Sequence, residues 1–304
     1  MKPKIIVVGS SNTDMVVKVP HIPAPGETLL GTDFMIIPGG KGANQAVAAA
    51  RSGAEVTFLA CVSNDTLGIQ AVDNYKKDAI NTEYVKVQEG IHSGIALINV
   101  ADDGENSIAV APGANKYLLP EDIVASGAAF NEVKMVLAQL EIPLPTVIAV
   151  AELAHEKGIP FILNPAPGMH LPESLIQKVT VITPNETEAA ILTSRDHPTD
   201  KDIPAMAGDL YRMGIKIVLL TLGRKGVYLK TNDYDGYISG YSVEAKDTTA
   251  AGDVFNGALA TAMADGNSIA DSVDFAQRAA AISVTRMGAQ PSAPYIDEIL
   301  NFEV

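Results

Sequence analysis

The run Asp247-Thr248-Thr249-Ala250-Ala251-Gly252-Asp253, followed by the apolar stretch Val254-Phe255-Asn256-Gly257-Ala258-Leu259, holds the residues best placed for chemistry. It reads as a turn of small residues feeding the start of a helix. A helix start carries backbone N–H groups without intrahelical partners and a partial positive charge. Ala250, Ala251 and Gly252 are small enough for an anion to approach those groups closely. Asp253 stands where the anion would arrive. Amide donors for a transferring phosphate, beside a carboxylate that can take a proton, are what phosphoryl transfer to a hydroxyl requires. Asp253 also has a plainer reading, because acidic residues in a first helical turn complement the helix dipole. Taken alone, that plainer reading is the stronger.

A second segment, Pro38-Gly39-Gly40-Lys41-Gly42-Ala43-Asn44-Gln45-Ala46, also leads into an apolar helix. It is neither a Walker A loop nor a dinucleotide fingerprint. Its glycines let backbone approach a ligand closely. Asn44, Asp14 and the glycine N–H groups together form a candidate clamp for hydroxyls. The plainer reading is a tight turn before a helix, with Lys41 a solvated charge and Asp14 a turn residue.

Short β-branched runs alternate with helical stretches along the chain. Candidate strands are 4–8, 56–62, 134–140, 160–163, 179–183 and 217–222. Candidate helices are 42–52, 68–78, 145–157, 185–193 and 203–213, with a mainly helical end at 253–263, 268–286 and 296–300. This rhythm predicts an α/β fold, a mostly parallel sheet covered by helices on both faces. Two segments break it. Residues 15–37 alternate apolar positions among prolines, and 94–100 with 106–110 flank the turn Asp102-Asp103-Gly104-Glu105, a hairpin signal. Together they predict a small, mainly antiparallel sheet that must cover the active site, a partner subunit, or both, since it cannot bury both faces alone. The expected division is a large domain of 1–12, 38–91 and 111–304 and a small β lid of 13–37 and 92–110. Ligands of such sheets sit beyond the carboxyl ends of the strands. Asn12, Asp14, Glu141, Asn164, Asn185 and Gly223 all follow predicted strands and collect at that edge.

Composition narrows the function. Over 304 residues the formal net charge is −14, which repels nucleic acid and anionic membranes but not a nucleotide held by local N–H groups and a metal ion. Aromatics are 5 % and Trp is absent, so stacking platforms for single-stranded nucleic acid are not expected. The one cysteine, Cys61, lies in an apolar run and reads as a core thiol. The expectation is a cytoplasmic protein, with no signal segment, membrane span, intrachain disulfide or cysteine zinc cluster.

The chain resembles the ribokinase/PfkB family of carbohydrate kinases over essentially its whole length. The carriers are Gly9-Ser10-Ser11-Asn12-Thr13-Asp14, 38–46, Ala111-Pro112-Gly113-Ala114-Asn115, Gln139-Leu140-Glu141, Asn164-Pro165-Ala166-Pro167, Thr183-Pro184-Asn185-Glu186-Thr187-Glu188, Thr221-Leu222-Gly223-Arg224-Lys225-Gly226, 247–253 and Gly288-Ala289-Gln290-Pro291-Ser292. Many members of the family have Gly where Ala250 stands.

The resemblance implies a three-layer α/β/α fold with a β lid, and phosphorylation of D-ribose at O5 by ATP. It makes Asp253 the base and the amides of Ala250, Ala251 and Gly252 the anion hole. It places Asn12, Asp14, Gly40, Lys41, Gly42, Asn44 and Glu141 on the sugar. Asn185, Thr221, Gly223, Arg224, Gly226, Gly252 and Gln277 fall along ATP, and Glu188 near Mg2+, through water. It further implies K+ beside Asp247, Thr249, Ser283, Arg286, Gly288 and Ser292, and a homodimer formed through the lid. Alternatives are another sugar or nucleoside kinase of the family (2-deoxyribose or fructose as acceptor), or a silent sugar- or nucleotide-binding regulator. A nicotinamide dehydrogenase is a third reading, but its glycine fingerprint is missing after Ile5–Val8.

Overall fold

The computed structural model describes residues 2–303. In chain order, β1 (Lys4–Val8) is followed by β2 (Asn12–Val19), β3 (Phe34–Gly39), α1 (Lys41–Arg51), β4 (Glu55–Ser63), α2 (Thr66–Lys77) and β5 (Val85–Gln88). Next come β6 (Gly94–Ala101), β7 (Asn106–Ala111), α3 (Pro120–Ala125), β8 (Met135–Ala138), α4 (Leu144–Glu156), β9 (Phe161–Leu163), α5 (Glu173–Ile176) and β10 (Val181–Ile182). The chain ends with α6 (Glu186–Leu192), α7 (Ile203–Arg212), β11 (Ile217–Thr221), β12 (Val227–Lys230), β13 (Asp235–Ile238), α8 (Ala251–Ala264), α9 (Ile269–Val284) and α10 (Ile296–Leu300).

The large sheet runs β13-β12-β11-β10-β9-β8-β1-β4-β5. All neighbours from β5 to β11 pair parallel, and β12 and β13 add an antiparallel edge. Its two faces are both apolar, as a sheet covered on both sides requires. In β1, Ile6 and Val8 join the core that includes Val147, Val150, Met206 and Leu210 of α4 and α7. Ile5 and Val7 join the other core, with Ala46, Val47, Ala258, Leu259 and Ala276 of α1, α8 and α9. Small residues let α1 and α8 approach closely: a β-carbon at Gly257 would come within 2.6 Å of the Ala48 side chain.

The second sheet runs β3-β2-β6-β7. The hairpin β6–β7 is antiparallel, as is β2–β3, but the central pair β2–β6 is parallel. Its strands also reach further than the expected lid: β2 begins at Asn12, β3 continues through Gly39 and β7 through Ala111. Cross-strand pairing continues as far as Asn12↔Gly39 and Asn12↔Gly94, so the sheet ends at the site itself. No described helix is long and apolar enough to cross a membrane.

Candidate active site

The site is assembled where the small sheet, the start of α1 and the start of α8 meet. Ala250 is the N-cap of α8, in a left-handed conformation (φ 59°, ψ 11°) that an L-residue with a β-carbon adopts only at a cost. Beyond it, the amides of Gly252 and Asp253 donate to no described residue, and a β-carbon at Gly252 would meet nothing within 4 Å. The helix mouth is therefore open. Of the three amides expected to form an anion hole, those of Ala250 and Gly252 donate to no described residue. The Ala251 amide already donates to the Thr248 carbonyl at 3.3 Å, closing the turn that presents Gly252.

Asp253 is 5 % exposed, and its carboxylate is hydrogen-bonded on both oxygens. Asn44 Nδ2 donates to Oδ2 at 2.9 Å, and Gln45 Nε2 donates to Oδ1 at 2.9 Å. Both donors come from the first turns of α1. A buried carboxylate is tolerable only with such donors.

Part of the glycine-rich segment is already engaged within the protein. The first amides of α1 are not free for a ligand. Lys41 N–H donates to Glu141 Oε2 at 3.0 Å, Gly42 N–H to Ser10 Oγ at 3.2 Å, and Ala43 N–H to the Ser10 carbonyl at 2.8 Å. Ser10 Oγ in turn donates to Glu141 Oε2 at 2.5 Å. These contacts satisfy the orphan donors of a helix with no side-chain cap of its own. Glu141 thus spends one oxygen on the helix start. Gly39 is required because the Asp14 carboxylate lies on it: a β-carbon there would be 2.3 Å from Asp14 Oδ2. Gly40 turns with φ 90°, and a β-carbon there would be 2.6 Å from the Asn12 amide.

The charged groups converge. Burial, then the carboxylates of Glu141 and Asp253, push Asp14 up to about 6. The Asp253 charge holds the Lys41 ammonium above its usual range against burial, helped by Glu141 and Glu188. Burial raises the Glu188 carboxyl, and Asp253 adds to it, while the Asn185 amide and Lys41 pull the other way. So Asp14 of β2, Lys41 of α1, Glu188 of α6 and Glu141 all sense Asp253 or one another. Asn12 is buried and its Oδ1 accepts from Asn115 Nδ2 at 2.7 Å.

On the other side of the helix mouth, Asn185 caps α6. Its Oδ1 accepts from the Glu188 amide at 2.8 Å and Glu188 Oε2 accepts from the Asn185 amide at 2.9 Å, a reciprocal box. Thr221 bridges Asn185, and Gly223, Arg224 and Gly226 form the tight turn after β11. Arg224 is exposed and makes no hydrogen bond or ion pair with a described residue. Gln277 is buried on α9, with its Oε1 unpartnered among the described residues.

Asp247 binds the loops together. Its Oδ1 accepts from Thr249 N–H at 2.9 Å and its Oδ2 from Gly288 N–H at 2.8 Å. Burial alone would raise its pKa, but the Thr249 hydroxyl and these two amides outweigh it and hold the carboxyl below its usual range. The neighbouring amides of Lys246 and Asp247 both donate to the Val284 carbonyl at the end of α9. Ser283 and Ser292 are buried, with hydroxyls turned onto the carbonyls of Ala280 and Ala289. Arg286 pairs with Glu298.

The structure adds residues whose roles the sequence reading missed. Gln45, fully buried, accepts from Gln139 Nε2 at 2.6 Å and donates to Asn164 Oδ1 at 3.1 Å as well as to Asp253. Asn164 Nδ2 donates to the Thr183 carbonyl at 3.2 Å. Thr183 Oγ1 donates to Asn256 Oδ1 at 2.6 Å, and Asn256 Nδ2 to the Gly252 carbonyl at 2.8 Å. The signal available beforehand was an amide inside an apolar stretch, which needs a partner once buried.

No group of three or more potential metal-ligating His, Cys, Asp or Glu residues occurs among the described residues. A lone, part-buried carboxylate such as Glu188 suits a magnesium ion carried mainly by phosphate oxygens and water. The free lone pairs of Asp247 and the hydroxyls of Ser283 and Ser292 are hard oxygen donors of the kind an alkali cation takes.

The model of the pfkB family carbohydrate kinases matches residues 2–296. The chain is 42 % identical over 302 residues to a ribokinase of Haemophilus influenzae, covering 99 % of each. It is 37 % identical over 295 residues to a deoxyribokinase of Salmonella typhi, covering 97 % of this chain and 96 % of the relative. The structure superposes with a TM-score of 0.90 on Arabidopsis thaliana ribokinase complexed with ribose and ATP, at 31 % identity and full coverage of both chains. With its open helix mouth, its buried carboxylate and this likeness along its whole length, the chain belongs to the PfkB family of carbohydrate kinases.

Proposed function

We propose that this protein transfers the γ-phosphoryl group of ATP to O5 of D-ribose, giving ribose 5-phosphate and ADP. One observation carries the mechanism: a carboxylate held on both oxygens by amide donors, at the mouth of a helix whose next amides are unpaired. The likeness to ribokinases supports the substrates.

In this reading Asp253 takes the proton of the sugar's primary hydroxyl as O5 attacks the γ-phosphorus in line. The bond from phosphorus to the bridging oxygen breaks, and its electrons leave with ADP. The amides of Gly252 and Asp253, with Ala250 and Ala251 shaping the turn, stabilise the charge on the transferring group. Asp14, Asn44, Lys41 and the free oxygen of Glu141, with Asn12 and the backbone at Gly40, orient the sugar, while Gly42 lets α1 lie close against the backbone of Gly9 and Ser10. Asn185, Thr221, Gly223, Arg224, Gly226 and Gln277 lie along the nucleotide. Glu188 would hold magnesium through water, and the ion would supply shielding of phosphate charge. K+ at Asp247, Thr249, Ser283, Arg286, Gly288 and Ser292 would brace the loop behind the helix mouth. Residues 13–37 and 92–110 act as the lid that excludes water, which would otherwise accept the phosphate. That lid also pairs two subunits, and the reaction runs in the cytoplasm. Among its features, exposed Ile108 and Val110, on the face of the small sheet that also carries Asp14, support the pairing.

The deoxyribokinase relative favours a second reading, 2-deoxyribose as acceptor. ADP release measured with ribose, 2-deoxyribose, fructose and no sugar separates the two, and a protein that releases no ADP with any sugar is not a kinase. Asp253→Asn tests the base. Asn44 can turn its unpartnered Oδ1 toward the new amide, so the fold tolerates the change. ATP binding should persist while kcat falls by roughly 10²–10⁴-fold. Near-normal turnover would remove Asp253 from its role.

A further inference from the structure

Asp253 receives two amide donors from adjacent residues of α1, and the two are not equivalent. Asn44 has a free oxygen: its Oδ1 is buried without a partner among the described residues. Gln45 has none. Its Oε1 accepts from Gln139 Nε2 and its Nε2 is shared between Asp253 Oδ1 and Asn164 Oδ1. The orientation of every amide in this chain is fixed from its ends. A carboxylate accepts only, so it demands the NH2 of Gln45. The Thr183 carbonyl accepts only, so it demands the NH2 of Asn164, which leaves the Asn164 oxygen facing Gln45. Turning Gln45 over would set its oxygen against two acceptors and its NH2 against the NH2 of Gln139.

We propose that Gln45, locked by Gln139, is the positioning residue of the phosphoryl-transfer step: it holds the Asp253 carboxylate in plane while Asn44 gives its free oxygen to the sugar. The proposal rests on Asp253 being the base. A carboxylate with one fixed donor on Oδ1 and a movable one on Oδ2 keeps a set direction for its remaining lone pairs as substrate arrives. Gln45 and Gln139 are both fully buried and so do not touch bulk solvent; their influence passes through Asp253.

The test compares Gln45→Met, Gln139→Met and Asp253→Asn with wild type in steady-state assays of ADP release, with ATP-analogue binding and thermal melts alongside. Gln45→Met should lower kcat by about 10–100-fold and leave the ribose KM within about threefold, because the sugar's own ligands are intact. It should also move the acidic limb of the kcat/KM profile to higher pH by about one unit, as the carboxylate loses a donor. The other charges facing Asp253 are Asp14 of β2, Lys41 of α1 and Glu188 of α6, with Glu141 behind Lys41. All are unchanged in both methionine variants, so their titration supplies a common background. Gln139→Met should show the same two effects at smaller size. It leaves the Asn164 bonds in place, so it decides the question if Gln45→Met fails to fold. Wild-type kcat in a folded variant, or a fall in kcat with an unmoved acidic limb, would overturn the proposal. An inactive Asp253→Asn beside unaffected methionine variants overturns Gln45 alone, whereas an active Asp253→Asn overturns the base assignment first.

Discussion

Asp14 carries a charge that the fold opposes and the proposed reaction uses. Its carboxyl lies against Gly39, and burial with the charges of Glu141 and Asp253 raises its pKa from 3.8 to about 6. A carboxyl whose pKa is higher in the folded chain binds more protons folded than unfolded across pH 4–6. Stability contributed by this group is therefore lost as pH rises through that window, and the full penalty stands above pH 6. Asp14→Asn keeps the shape and removes the charge. The whole rise corresponds to about 3 kcal/mol, and since Asp14 is only partly enclosed, solvent screening reduces it to roughly 1–2 kcal/mol. With an unfolding entropy of about 2 cal/mol/K per residue, a chain of this length gains roughly 2–3 °C in Tm at pH 8. The gain should narrow at pH 4.5, where the wild-type carboxyl is already protonated in the folded state. Activity should move the opposite way. Losing a charged acceptor for a sugar hydroxyl costs about 1.5–3 kcal/mol, or a rise of roughly 10–100-fold in ribose KM. If Asp14 holds the 2-hydroxyl, the preference for ribose over 2-deoxyribose should collapse. Thermal melts at the two pH values and kcat/KM for both sugars make the check. A lower Tm than wild type at pH 8, or an unchanged sugar preference, would refute the reasoning.

Three further outcomes are expected. Ala250 sits at φ 59°, so Ala250→Gly should leave kcat intact without lowering Tm, whereas the β-branched Ala250→Val should lose about 2 kcal/mol of stability and raise the ATP KM. Melts and ATP titrations distinguish them, and a Val variant as stable as wild type would mean that the turn is not held left-handed in solution. Replacing NaCl by KCl should speed the wild-type enzyme, and Asp247→Ala should erase that difference by freeing the loops at Thr249 and Gly288; equal wild-type rates in the two salts would remove K+ from the account. Sedimentation should give twice the chain mass for wild type and a monomer for Ile108→Glu, a change on the exposed outer strand β7. A monomeric wild type would refute pairing through the lid.

The alternation of strands and helices was legible because parallel strands buried on both faces are short apolar runs, as in Ile5–Val8 and Ile217–Leu220. The edge strands β5, β12 and β13 were not, since four residues such as Val-Lys-Val-Gln at 85–88 are too few for their alternation to stand out from the surrounding polar chain. Asp253 was legible from its neighbours in the chain: small residues and a helix start. Gln45 lies inside a segment that attracted notice, yet its role depends on partners 94 and 208 residues away in Gln139 and Asp253. The same holds for the amides of Lys41 and Gly42. As a bare glycine-rich turn they look free for a ligand, and only the arrival of Ser10 and Glu141 from two other strand ends shows them occupied.

Those occupied amides bear on how one short segment would serve both the proposed lid and the proposed base. β3 ends at Gly39 and α1 begins at Lys41, so the small sheet and the helix that orients Asp253 are separated by Gly40 alone. A lid that closes over substrate would ordinarily drag that helix with it. Here the first three amides of α1 are tied to Ser10 and Glu141, at the ends of the first segments after β1 and β8, and Gln45 is tied to Gln139 and Asn164 beyond the same row of central strands. The helix start is thus fastened to the large sheet at several points, while Asp14, on the other side of Gly40, belongs to the small one. Gly40, at φ 90°, is thus the single residue between the strand that pairs with the Asp14 strand and the helix that carries the two donors to Asp253. In the proposed mechanism, sugar capture by Asp14 and the orienting of the base by Asn44 and Gln45 would be carried by groups anchored to different sheets.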